Sequence, residues 1–185
     1  NDVVAQAAGL YEERLDGVML KMAIDPSLPS AMLDVEQIKR VFVNLIDNAL
    51  AAMASVTNEK QITIATKHDA ERSLLRVEVA DTGHGIEPSD FRRLFEPYFS
   101  RRDSGTGLGL ATVFAIVKHS GGHLWVYSEP GIGSTFKVYL PRCATDNTTC
   151  VGSTAPAADP APSAVRGAEA VLLVEDDAQV RVLAR

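Results

Sequence analysis

Long apolar runs are missing from this chain of 185 residues. No stretch of about 18 consecutive apolar residues occurs, which excludes a membrane-spanning helix. Positive charge is in deficit. Lys and Arg total 18 against 24 Asp and Glu, a formal net charge of −6. Sequence-independent binding to nucleic acid wants the opposite sign. Cysteine is sparse: Cys143 and Cys150 stand in a polar stretch with no His or third Cys nearby. Such a C-x6-C pair is a poor zinc site and reads as two reduced thiols. The opening Asn1-Asp2-Val3-Val4 has neither the basic nor the apolar segment of a signal peptide. It also lacks an initial Met, so the chain reads as a piece of something longer. No internal repeat is visible. What is present is an ordinary globular composition, 46% hydrophobic and 23% charged, with enough apolar matter for a core.

Composition changes near residue 141. Before it the chain is periodic. After it, residues 155–164 read APAADPAPSA, a linker with little to bury. The apolar Val171-Leu172-Leu173-Val174 and the acidic Glu175-Asp176-Asp177 follow. The boundaries expected are a main domain at 17–142, a linker at 143–169 and the start of a second domain at 170–185. Within the main domain, Val18–Ile24, Gln61–Lys67 and Leu74–Ala80 read as strands, and Leu124–Ser128 with Ser134–Leu140 as a hairpin around Pro-Gly-Ile-Gly. Helices are expected over 35–54, capped by Asp34 with Gln37 three residues on, over Pro88–Leu94, and over Leu108–His119, stopped by Gly121-Gly122. Strands and helices mix without strict βαβ alternation, so the class is α+β, a sheet with helices on one face.

Four local patterns carry chemistry. On the 35–54 helix, Ile38, Val41, Phe42, Leu45, Ile46, Ala49, Leu50 and Met53 make a wide apolar arc. Gln37, Arg40, Asn44, Asp47 and Asn48 gather on a narrow polar one. Asn44 and Asn48, at i and i+4, share a face. That stripe meets either water or a ligand, and an amide oxygen suits Mg²⁺. Asp81-Thr82-Gly83-His84-Gly85-Ile86 follows a strand. It is either a plain turn or a place where backbone closely approaches a ligand, with Asp81 able to accept from an exocyclic amine. Gly105-Thr106-Gly107-Leu108-Gly109-Leu110 opens a helix, either as a glycine turn or as an anion site of backbone N–H groups. No strand directly precedes it and no G-x-x-x-x-G-K-[ST] occurs, so it is neither a dinucleotide fingerprint nor a P-loop. Phe95-Glu96-Pro97-Tyr98-Phe99 is either core or the root of a mobile loop.

In this order, the patterns resemble the catalytic, ATP-binding domain of bacterial sensor histidine kinases, whose superfamily includes DNA gyrase B and the MutL proteins. VNLIDNALAAM (43–53) is similar to the family's N box, DTGHGI (81–86) to its G1 box, LFEPYFS (94–100) to its F box and GTGLGLA (105–111) to its G2 box. GIGSTFKVYLP (131–141) resembles its closing strand. The wording is nearest to the nitrogen-regulation type. The resemblance implies a two-layer Bergerat-type α/β sandwich, a mixed sheet of about five strands with three helices on one face. It implies ATP and Mg²⁺ as ligands. Asp81 would bind the adenine amino group, with Gly83 and Gly85 shaping the pocket and Ser134 reaching the base through water. Asn48 would hold Mg²⁺ and Asn44 would lie beside it. Residues 95–109 would form a lid, with Phe99 at its root. Gly105, Thr106, Gly107, Leu108 and Gly109 would face the phosphates. Arg102 takes the place where relatives often carry Lys, which changes the geometry of a γ-phosphate contact.

The ATPase relatives carry Glu where this chain has Asn44. An amide is no general base, so transfer to a partner is favoured over hydrolysis. The acceptor in the family is a histidine on a separate dimerisation domain. His68, His84, His119 and His123 lack that motif, so residues 1–16 read as a connector from that domain. VLLVEDDAQVRVLAR (171–185) resembles the start of a response-regulator receiver, with Glu175 and Asp176 matching its Mg²⁺-binding acidic pair. The expected partners are the dimerisation domain and a receiver domain or response regulator, with no nucleic acid and no direct membrane contact. The expected location is cytoplasmic. Two alternatives share the nucleotide site: a serine-directed kinase of the anti-sigma-factor type, and a degenerate nucleotide-binding scaffold.

Overall fold

Asp34 starts the central helix. Its carboxylate accepts from the Gln37 backbone N–H at 3.1 Å, a cap worth about 1 kcal/mol. Helix α2 then runs over Val35–Ala52 and buries Ile38, Val41, Phe42, Leu45, Ile46 and Ala49. Those positions recur every three to four residues, so one apolar stripe is laid on the sheet. The computed structural model describes residues 1–11, 14–15, 17–101 and 105–142, and the backbone of 171–173. The linker expected at 143–169, with its two cysteines, lies outside the described residues.

The strands are β1 (Val18–Ala23), β2 (Lys60–Asp69), β3 (Leu74–Asp81), β4 (His123–Glu129), β5 (Gly133–Pro141) and β6 (Val171–Leu173). Their order in one sheet is β1-β2-β3-β5-β4-β6. β1 is parallel to β2, and the other pairs are antiparallel. Alternate residues point inward: Ile62 and Ile64 on β2, Leu75, Val77 and Val79 on β3, Leu124 and Val126 on β4, Phe136, Val138 and Leu140 on β5. Helices α1 (Asp2–Gly9), α2 and α3 (Gly109–His119) join that core, with a 3-10 turn at Pro88–Arg93. The α+β expectation holds, with each expected element within a few residues of its place.

Two segments go beyond the expectation. Residues 1–16 include a docked helix: Val4, Ala7, Ala8 and Tyr11 are buried in the core, and the Tyr11 hydroxyl donates to the Val43 carbonyl at 3.1 Å. Burial, with the Asp47 carboxylate beside it, holds the Tyr11 phenol well above its ordinary pKa. The apolar run expected to open a second domain pairs with the outer edge of this sheet, Val171 with Tyr127 and Leu173 with Trp125. An outer strand edge offers unpaired N–H and C=O groups, and a short apolar segment satisfies its own backbone there.

Candidate nucleotide site

The polar stripe of α2 faces the start of α3. The Asn44 side-chain N–H donates to the Arg40 carbonyl one turn back at 2.9 Å, which leaves its oxygen turned toward α3. A Cβ placed on Gly109 would stand 3.3 Å from Asn44 Oδ1 and 3.7 Å from Asn48 Nδ2. The two amides and the first turn of α3 therefore share one small volume. The opening N–H groups of a helix lack partners within it and favour an anion. Among the described residues there is no group of three or more His, Cys, Asp or Glu able to cage a metal. A neutral amide oxygen beside an anion site, as Asn44 Oδ1 is here, fits Mg²⁺, which takes few protein ligands and shares phosphate and water oxygens.

A second cluster forms where β3 ends. Asp81 is paired with Ser134 of β5. Its carboxylate accepts from the backbone N–H of Gly83 at 2.8 Å, and the Ser134 backbone N–H also favours its charged form. Burial outweighs both and pushes its pKa up to about 6. Gly83 allows a close approach: a Cβ there would sit 2.6 Å from Ala52 Cβ, so the loop lies on the end of α2. The His84 N–H donates to the Ala52 carbonyl at 3.1 Å. Gly85 lies against β4, where a Cβ would meet the Glu129 carbonyl. Helix α2 thus carries its amide stripe beside α3 and rests its C-terminal end on the Asp81 loop.

The loop between these clusters is tied at its roots. Phe95 stacks on Phe114 of α3, ring centroids 5.4 Å apart. The Arg93 guanidinium covers the Phe99 ring at 4.5 Å. Arg101 Nη2 donates to Asp90 Oδ1 at 2.9 Å. The Tyr98 N–H donates to the Gly107 carbonyl at 3.0 Å. Gly107 has φ +65°, and a Cβ would come within 2.4 Å of the Tyr98 carbonyl carbon, so no other residue fits without shifting the chain. Tyr98 itself takes φ +67° and is 78% exposed. Gly105, Thr106 and Leu108 complete the second root, Thr112 Oγ1 donating to the Leu108 carbonyl at 2.8 Å. Arg102, Glu175 and Asp176 lie outside the described residues.

Sequence reasoning missed Ser128. It is 2% exposed and bonds to Ile86, Gly133 and Ser134. Its signal was a serine at the third inward position of β4, after Leu124 and Val126. The docking of Tyr11 was also missed, because nothing local marks an apolar helix as part of one domain rather than of a connector.

Residues 33–144 match a family model described as histidine kinase-, DNA gyrase B-, and HSP90-like ATPase. The chain is 36% identical to the sensor protein FixL of Bradyrhizobium diazoefficiens over 137 residues, covering 74% of this chain and 27% of that protein. It is 35% identical to the sensor kinase CckA of Brucella abortus over 209 aligned positions, 98% of this chain and 21% of that protein. The chain thus spans about a quarter of the length of these relatives. Among solved structures, full-length ShkA in complex with AMPPNP superposes with a TM-score of 0.66 at 27% identity, over 76% of this chain and 29% of that one. With its mixed sheet, its helices on one face and the amide and glycine clusters they bring together, the chain belongs to the histidine kinase-, DNA gyrase B- and HSP90-like ATPase family.

Proposed function

We propose that the chain is the catalytic part of a sensor histidine kinase, binding Mg²⁺-ATP and donating its γ-phosphoryl group to a histidine on a dimerisation domain. The observation that carries this reading is the approach of Gly109 to Asn44 and Asn48. Phosphoryl transfer needs positioning and charge neutralisation more than covalent help, and that corner supplies both. Asn48 would hold Mg²⁺, with Asn44 beside it, and the ion when bound neutralises phosphate charge. Backbone groups of Gly105, Thr106, Gly107, Leu108 and Gly109 would face the phosphates, with Phe99 at the root of the lid and Arg102 reaching the γ-phosphate. Asp81 would accept from the adenine amino group, with Gly83 and Gly85 shaping the pocket and Ser134 beside it.

Asn44 cannot act as a base toward water, so the reading favours transfer over hydrolysis. The acceptor histidine would belong to a domain reached through residues 1–16. Residues 17–142 are the kinase domain in this reading, 143–169 the linker and 170–185 the beginning of a receiver with Glu175 and Asp176 in its Mg²⁺ site. The likeness to CckA supports the last point, because it extends over 98% of this chain and so into the tail. A hybrid kinase working in the cytoplasm follows from that arrangement. No helix among the described residues is long and apolar enough to cross a membrane.

Calorimetric titration with ATP, with and without Mg²⁺, tests the binding half. Saturable, Mg²⁺-assisted binding is the expected result, and its absence overturns the reading. Supplying a dimerisation domain and labelled ATP tests the transfer half. Acid-labile phosphohistidine is expected, an acid-stable phosphoserine favours the serine kinase, and no label favours a scaffold.

A further inference from the structure

Ser128 sits at the centre of a buried polar network that joins the two ends of the Asp81 cluster. Its hydroxyl lies 2.9 Å from the Gly133 carbonyl. It accepts the Ile86 N–H at 2.9 Å and lies 3.0 Å from Ser134 Oγ. A serine hydroxyl has one proton and two lone pairs. The Gly133 carbonyl can only accept, so the Ser128 proton is on that bond. One Ser128 lone pair takes the Ile86 N–H. The contact to Ser134 therefore has Ser134 as the donor.

The consequence falls on Ser134. Its single hydroxyl proton is held inside the sheet, and only lone pairs remain for anything beyond. Asp81 is its partner across β3 and β5. The end of the sheet thus presents two side-chain acceptors, the Asp81 carboxylate and the Ser134 hydroxyl oxygen.

We infer that Ser128 is a positioning residue for base selectivity: by holding the Ser134 proton it makes Ser134 an obligate acceptor, so the site selects a purine with a 6-amino group over one with a 6-oxo group. This rests on the reading above that Asp81 and Ser134 face the base. An amino group has two N–H donors, one for each acceptor when both are in direct contact with it. A 6-oxo group would bring lone pairs against lone pairs, and a site whose buried polar groups go unpaired rejects its ligand strongly. Ser128 touches no base in this scheme. It acts through Ser134, and through Ile86 it also pins the loop after Gly85.

The experiment is calorimetric titration of the full chain with ATP and with inosine triphosphate, both with Mg²⁺. The wild type is expected to prefer ATP. Ser128→Ala frees the Ser134 proton to turn toward a 6-oxo group, so the ratio of the two dissociation constants should narrow by about tenfold, the worth of one neutral hydrogen bond. Ser128→Thr restores the hydroxyl and should restore the ratio. If thermal unfolding shows that Ser128→Ala does not fold, Ser134→Ala decides the matter, since it removes the acceptor and should narrow the ratio likewise. An unchanged ratio in the folded variant overturns the inference, as does a wild type that binds both nucleotides equally. A narrowing that folded Ser128→Thr fails to reverse marks a merely structural role and overturns it too. A wild type that binds neither nucleotide overturns the ATP reading itself, a separate and recognisable failure.

Discussion

Replacing Asp81 by asparagine should make the protein more stable at neutral pH while spoiling the site. Burial raises the Asp81 pKa from 3.8 to about 6. The folded state therefore holds this proton more tightly than the unfolded chain does. The resulting destabilisation is absent below pH 3.8, grows between 3.8 and about 6, and is complete above that window. At about 1.4 kcal/mol for each unit of displacement it amounts to roughly 3 kcal/mol at pH 7 and about 1 kcal/mol at pH 4.5. The amide introduced by Asp81→Asn would keep an oxygen for the Gly83 N–H. Its NH₂ would replace the second carboxylate oxygen, whose charge the Ser134 N–H now favours, at a cost of about 1–2 kcal/mol. The net gain at pH 7 is then about 1–2 kcal/mol, or roughly 3–8 °C in Tm for a domain of this size. At pH 4.5 the gain should vanish or change sign. Thermal unfolding of both proteins without nucleotide, at the two pH values, is the assay. A variant less stable than wild type at pH 7, or a gap that does not shrink on acidification, refutes the reasoning. The same substitution should weaken ATP binding, which would make Asp81 a group kept for function at the expense of stability.

Other outcomes follow from single contacts. Asn48→Ala should remove the Mg²⁺-dependent part of ATP affinity, at least about tenfold, with little change in Tm; calorimetry with and without Mg²⁺ checks this. Gly107→Ala should strain a φ of +65° and collide with the Tyr98 backbone. A loss of more than about 1 kcal/mol, with weaker ATP binding, should appear in denaturant unfolding and titration. Tyr11→Phe deletes the hydroxyl bonded to the Val43 carbonyl and should cost about 1 kcal/mol in urea unfolding. An unaltered midpoint would show that α1 is held by its apolar contacts alone.

What the sequence determined by itself is what short-range chemistry decides. The Asp34 cap, the i and i+4 amides of Asn44 and Asn48, the glycines of 83–85 and 105–109 and the inward alternation of the strands depend on neighbours within a turn or a pleat. Each survives into the structure close to where the residues alone put it. The family resemblance added the order of the boxes and the roles they imply. Tertiary structure alone decided the sheet order, with β5 between β3 and β4, because strand partners are chosen by pairings across the whole chain. It decided that α1 belongs to the core, since the burial of Tyr11 depends on a surface of α2 some thirty residues away. It raised the Asp81 pKa, because desolvation comes from what packs around a carboxylate and not from its neighbours in sequence. It also set the direction of the Ser128–Ser134 hydrogen bond, which depends on a carbonyl at the start of β5 and an N–H from the loop after Gly85 brought together on one side chain.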